Sequence, residues 1–227
     1  MNKLCYFIFT RIPRKLCHVL FHSVSRRYIF EVELERVAGH FHSLLDVGCG
    51  ARSPIKKFSA GMYTVGIDLF EPSIEQSKKD GIHDKYFLMN MLDIDKEFTS
   101  LSFECVLSCD TLEHLTKKEG VQLLEKMEKI AQKRVVVFTP NGFVHQDPYE
   151  NNYLQIHKSG WTVGDMRERG YIVIGINGWK PLRSEGALIR FQPAYLWETI
   201  SSITQILFAR RFPKTAFQML CIKDIRK

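Results

Sequence analysis

From residue 43 onward, short apolar runs alternate with amphipathic stretches along this chain. Runs rich in branched and aromatic residues at 43–47, 62–67, 85–90, 103–108, 134–139, 171–177 and 215–222 predict seven strands. Between them, "EPSIEQSKKDG", "KKEGVQLLEKMEKIAQK" and "SGWTVGDMRERG" read as helices. In the second, the apolar members of the set Val121, Leu124, Met127, Glu128 and Ile130 fall on one helical face, opposite the lysines. Near-continuous apolar strands separated by such helices predict a mostly parallel sheet covered on both faces, a doubly wound α/β domain.

Two segments stand outside the alternation. Residues 1–40 carry helical patterns near 13–25 and 28–40 and read as a basic helical appendage, leaving 41–227 as the main domain. Residues 180–213 interrupt the last two strands and place Leu196, Ile200, Ile203, Ile206 and Leu207 on one helical face. Three readings of that face stay open: packing on the domain or a partner, docking on a membrane, or walling a substrate pocket.

Charge sharpens this division. Of the net charge of +7, residues 1–30 contribute +6 and residues 206–227 contribute +5, so the body between them carries −4. Basic ends studded with Phe, Leu and Ile suit an anionic membrane surface; nucleic acid is the less favoured partner, because its binding would call for positive charge around the cleft. The six cysteines show no CxxC pair and read as buried thiols in a reducing compartment. The apolar run Leu4–Phe9 is too short for a signal peptide, and no run approaches the roughly 20 residues that span a bilayer. The expected location is the cytoplasm, peripheral to a membrane.

The stretch "LLDVGCG" delivers Gly48 and Gly50 to the carboxyl end of the first strand, where open α/β sheets bind ligands and glycine lets a ligand touch the backbone. The second strand ends on Asp68, 20 residues after Gly48, the usual distance for a carboxylate that accepts ribose hydroxyls. Capping of the helix that starts at "EPSIEQ" is the alternative for Asp68. A dinucleotide is disfavoured, since the place of the third glycine in GxGxxG holds Ser53, followed by Pro54.

The series "LLDVGCG", "VGIDL", "MNMLDID", "FECVLSCDTLEHL" and "VVVFTPNG", in this order and spacing, resembles the class I S-adenosylmethionine (SAM)-dependent methyltransferases over residues 41–177, with "TAFQMLCIK" as the last strand. The resemblance implies a Rossmann-like seven-stranded sheet with a reversed final strand and SAM as cofactor. By position it places Asp46, Gly48, Cys49 and Gly50 around the methionine portion, and Asp68 with Leu69 at the ribose. Asn90, Met91 and Asp93 fall where relatives contact adenine, with Asn90 and Asp93 both open as the partner of its amine, and Cys109 borders the cofactor. Arg52 stands where relatives often carry a further glycine and would crowd or brace the methionine carboxylate. Glu104 replaces a common Asp, with little effect expected.

Methyl transfer from a sulfonium is an in-line displacement, so the protein must chiefly orient the nucleophile; a base is needed only for a protonated one such as a hydroxyl. "SCDTLEHL" is not the NPPY-type tetrad of amino-methylating nucleic-acid enzymes. Asp110, Glu113 and His114 resemble the acid and Glu-His of quinone-ring O-methyltransferases, which are associated with a divalent metal; the other reading is that Glu113 and His114 tie a helix start to a loop, and no metal is assigned. The candidate acid–base residues are Asp110, His145 and His157, with Tyr149, Tyr153 and Trp161 as aromatic walls in the long loop after the fifth strand. Ser159 supplies an alternative, purely structural contact at the following helix. The expected activity is methylation of a small-molecule or lipid-linked acceptor at oxygen. RNA or protein methylation, or a non-catalytic SAM-fold partner protein, are the alternatives.

Overall fold

The computed structural model describes residues 26–148 and 152–225. The helical pattern at 13–25, Cys5, Cys17 and Tyr149 lie outside them. Seven strands form one sheet: β1 (Ser43–Val47), β2 (Tyr63–Asp68), β3 (Lys85–Leu88), β4 (Phe103–Cys109), β5 (Ala131–Pro140), β6 (Ile172–Trp179) and β7 (Ala216–Asp224), in the order β3-β2-β1-β4-β5-β7-β6. The first five are parallel, and β7 runs antiparallel between β5 and β6. This is the doubly wound sheet with a reversed last strand that the pattern and the resemblance lead one to expect.

The helices are α1 (Arg26–Ala38), α2 (Glu71–Lys79), α3 (Ile94–Glu97), α4 (Lys117–Ile130), α5 (Val163–Glu168) and α6 (Ala194–Thr204). Capping boxes start two of them: Thr116 with Glu119 for α4, and Thr162 with Asp165 for α5. Leu123, Leu124 and Met127 of α4 and Met166 of α5 bury one face of the sheet. Leu34, Val37 and Ala38 of α1 bury the other, against Leu44, Leu107, Val136 and Leu220. Phe30 adds a stacked contact with Phe138, ring centroids 4.0 Å apart. Residues 28–40 thus form part of the sheet's cover. β3 stops two residues early because the Asn90 side chain accepts the Leu92 N–H at 2.9 Å and turns the chain.

The segment between β6 and β7 holds a surprise in its orientation. At about 100° per residue, Tyr195, Leu196, Ile203, Ile206 and Leu207 share one arc of α6 and the wide helical turn Gln205–Ala209 that continues it, and these side chains face outward. The inward arc is polar. Gln205 donates to the Gly175 carbonyl and accepts from the Gly178 N–H, both at 2.8 Å. Ser201 accepts from Arg183 at 2.9 Å, and Thr204 accepts from the Trp179 N–H at 3.0 Å. The end of β6 is irregular, with Asn177 and Gly178 in the left-handed region at φ +68° and +69°. Its backbone groups lack strand partners there, and side chains of the helix supply them. Of the apolar arc read from the sequence, Leu196, Ile203, Ile206 and Leu207 face outward, while Ile200 is half-buried.

Close approach fixes this union. A Cβ on Gly175 would lie 2.0 Å from the Ala209 carbonyl oxygen. Gly175→Ala should therefore destabilise the chain by about 2–3 kcal/mol through overpacking against backbone; urea unfolding of the purified variant checks it.

Candidate active site

The carboxyl ends of β1, β2 and β4 open onto a crevice of about 420 Å³. Gly48 and Gly50 turn the chain out of β1 with φ of +72° and +59°. At Gly48 space forbids a side chain as well, because a Cβ would stand 2.5 Å from the Thr111 hydroxyl. Asp68, at the tip of β2, accepts the Gly50 N–H at 2.9 Å through one oxygen and the Phe70 N–H at 2.8 Å through the other. It therefore fixes the turn that leads into α2, whose N-cap is Phe70 with no side-chain cap, so the capping alternative does not hold, and it lines the crevice. Burial pushes its carboxyl above the ordinary value, against the pull of these N–H groups.

Beneath the glycine turn lies a cluster the sequence did not reveal. Asp46 is 1% exposed. Its Oδ2 accepts the Ser53 hydroxyl at 2.5 Å and meets His83 Nε2 at 3.1 Å. His83 reaches it over Gly66, where a Cβ would approach His83 Nδ1 to 2.9 Å. A glycine in mid-strand was the one available signal, since it marks close approach by another group. Ser53 stands at the place where a dinucleotide motif would carry glycine.

The crevice lining includes Cys49, Leu69, Asn90, Met91 and Cys109 along with Asp46, Gly48, Gly50 and Asp68. Asp93 is not in that lining; its carboxylate lies 2.7 Å from Lys96 on the outside of the turn. Of the two residues left open for adenine, only Asn90 faces the crevice. Arg52 sits at the rim, exposed. Phe30 and Glu31 of α1, and Asn152, Leu154, Gln155 and Lys158 of the loop after β5, also line it. None of these six belongs to a motif. Glu104 lies at the far end of β4, where it accepts the His42 N–H and pairs with Lys133, remote from the crevice.

Asp110 follows β4 in a left-handed conformation, φ +47°, and lines the crevice. Gln218 of β7 donates to its Oδ1 at 2.9 Å, while the Asn177 amide donates to Gln218 in turn. Glu113 turns the other way: 3% exposed, it accepts the Thr139 hydroxyl at 2.9 Å, and its carbonyl accepts the N–H groups of Lys158 and Ser159 at 2.8 and 3.1 Å. Burial, reinforced by the Asp110 charge, pushes its carboxyl up to about 8. His114 lines the crevice and faces the Ile156 carbonyl at 3.3 Å; burial, with His157 beside it, lowers it to about 4. These contacts tie the 112–114 turn to the loop. The set Asp110, Glu113 and His114 does not converge on one point: Asp110 turns to Gln218, and the donor atoms that lie within 4.8 Å of one another belong to Glu113, His114 and His157.

Of the histidines proposed as bases, His157 holds the Val144 carbonyl at 2.6 Å and stands against His114, ring centroids 4.9 Å apart, one ring away from the crevice. His145 belongs to a separate groove lined by Trp179, Lys180 and Lys214, and it pairs with Asp147 at 3.2 Å with its side chain 71% exposed. Its position corrects the expectation that it faces the cofactor. Two aromatic walls are likewise corrected. Trp161 is core, 1% exposed and covering Gly120, where a Cβ would meet it at 2.4 Å, and its Nε1 donates to Ser159. Tyr153 points to solvent. Cys105 and Cys221 are buried and unbridged, as core thiols.

Glu113 links this site to stability. It keeps its proton to about pH 8 in the folded chain, whereas a free glutamate releases it near 4.5. The unfolded state holds fewer protons between these values, so stability falls as pH rises through that window. Glu113→Gln, which keeps the shape and can still accept from Thr139, should flatten the fall; urea unfolding in steps across the window checks it.

Residues 45–139 match the family model of a methyltransferase domain. Among solved structures, the fold is similar to a SAM-dependent methyltransferase from Archaeoglobus fulgidus, with a TM-score of 0.53 and 16% identity over 91% of this chain and 99% of that one. It is similar to the plantazolicin methyltransferase BamL, solved with a triazolic desmethylPZN analog and SAH, with a TM-score of 0.53 and 14% identity over 96% and 93% of the two chains. Magnesium protoporphyrin IX methyltransferase from Synechocystis PCC 6803, solved with bound SAM, gives 0.50 and 13% over 93% and 81%. No curated protein matches the sequence.

Proposed function

We propose that this chain, whose residues 45–139 are a class I SAM-dependent methyltransferase domain, transfers the methyl group of SAM to an oxygen atom of a small-molecule or lipid-linked acceptor. SAM supplies a methyl group made electrophilic by its sulfonium. In this reading Gly48 and Gly50 let the methionine portion approach the backbone, Arg52 braces its carboxylate, Asp68 holds the ribose, and Asn90 with Met91 borders the adenine. His83 and Ser53 act beneath them by fixing Asp46, and so the shape of the glycine turn.

The observation that carries the choice of oxygen is Asp110. It lines the crevice at the end of β4, its backbone is held left-handed, and its carboxylate is oriented by Gln218. A hydroxyl must lose its proton as it attacks; of the carboxylates lining the crevice, Asp110 is the one at the end of β4, and in this reading it receives the proton. The new C–O bond forms as the C–S bond breaks, the bonding pair goes to sulfur, and the proton goes to Asp110. His157 supports the wall formed by His114. An acceptor of modest size is favoured by a crevice of about 420 Å³ to whose lining α1 and the 152–158 loop contribute. A nucleic-acid acceptor fits poorly with the −4 body.

Asp110→Asn, tolerable in a left-handed conformation, should lower kcat by about 10²–10⁴-fold while leaving SAM affinity within error, whereas Asp68→Ala should weaken SAM binding about tenfold or more. Calorimetric titration with SAM and methyl-label incorporation check both. Incubation with fractionated cell extract tests the acceptor class: label entering small-molecule or lipid fractions supports the reading, and label confined to RNA or protein overturns it.

A further inference from the structure

We propose that the outward face of α6 and the turn after it is a docking surface for an anionic lipid bilayer. Tyr195, Ile206 and Leu207 are 72%, 66% and 68% exposed, with Ile203 at 49% beside them and Phe212 at 63% just beyond. A continuous exposed apolar face of this kind marks an interaction site. The helix does not need this face to hold itself in the fold, because the polar inner arc of Ser201, Thr204 and Gln205 already does so.

Charge selects the occupant. Between Leu188 and Thr215 the acid is Glu198, which is spent on the buried Arg183. Arg210 pairs with Glu33, while Arg190, Arg211 and Lys214 stand exposed with no carboxylate partner among the described residues. Apolar side chains followed in the chain by Arg211 and Phe212, with Arg190 and Lys214 in the neighbouring groove of Trp179 and Lys180, have the chemistry of a helix lying in a headgroup layer, where apolar burial and attraction to anionic lipid add. A second copy of the chain would bring these cations against their own equivalents across a two-fold interface. Residues 1–25 carry four Lys/Arg and no acid, so covering the face with them would also set like charge against like.

Sedimentation of the full chain with lipid vesicles tests this independently of the methyl acceptor. The wild type should pellet with vesicles of phosphatidylcholine mixed with phosphatidylglycerol and stay in the supernatant with phosphatidylcholine alone. Ile206→Glu/Leu207→Glu should weaken binding about tenfold or more, and Arg211→Gln/Lys214→Gln should weaken it about tenfold. SAM affinity and the thermal midpoint of each variant should stay at wild-type values, because the changed side chains are solvent-facing. Failure of the wild type to pellet, or equal pelleting of the Glu variant, overturns the proposal. So does light scattering that finds a wild-type dimer turned monomer by the Glu pair, since the face would then belong to a second copy.

Discussion

The Asp46 carboxylate is the group around which the catalytic end of this molecule is arranged. It is nearly sealed from water, and an enclosed carboxylate must find its hydrogen bonds inside the protein or impose a large penalty. Ser53 and His83 both meet its Oδ2, one from the segment after the glycine turn and the other from the loop before β3. The turn 48–53 is therefore closed on its underside, which leaves its upper backbone surface for the ligand. The same arrangement explains why β2 needs a glycine at residue 66, since His83 must cross that strand to arrive. Gly50 is drawn to Asp68 through its N–H, so the tips of β1 and β2 hold a common geometry before any ligand is present.

A second polar seam runs from the opposite side. Glu198 and Ser201 of α6 hold Arg183; Arg183 donates to the Asn177 carbonyl at 2.6 Å; the Asn177 amide reaches Gln218, and Gln218 reaches Asp110. Each partner fixes the next, so a helix that contributes nothing to the crevice lining still sets the rotamer of the acid there. Buried polar chains of this kind favour one arrangement because each lost partner is costly, although here Asn177 Oδ1 is itself buried without a partner among the described residues. They also account for the inverted helix. With its polar arc committed to the seam and to the open end of β6, α6 can turn only its apolar arc outward.

What the sequence made legible follows from which forces have a period. The seven strands came from runs of apolar residues, which a sheet buried on both faces demands, and the reversed β7 came from the family resemblance. Gly48, Gly50 and Asp68 came from backbone demands that few residue types can meet. Direction was not legible: the apolar arc of α6 was correctly grouped yet faces water, because its orientation is decided by hydrogen bonds from Ser201, Thr204 and Gln205 to a bulge that no pattern announces. Trp161, expected as a wall, lies in the core, where the absence of a side chain on Gly120 makes room for it. Asp93 and Asn90, three residues apart, could be separated only once the turn after β3 was seen to place one in the crevice and the other beside Lys96.

The division between legible and illegible residues matches the division of labour in the site. The cofactor half is built at strand tips, where the sheet fixes positions and a nucleoside imposes the same demands on any chain that binds it. The other side of the crevice is lined by α1 and by the loop anchored on the Glu113 carbonyl, with the polar seam behind Asp110. These segments meet at the crevice only through long-range contacts, such as Phe30 on Phe138 and Lys158 on Glu113. Their residues hold contacts particular to this chain rather than positions set by the sheet, so they carry no shared spacing. Substitution at these few positions can therefore reshape this side of the crevice while the buried clasp of Asp46 stays as it is.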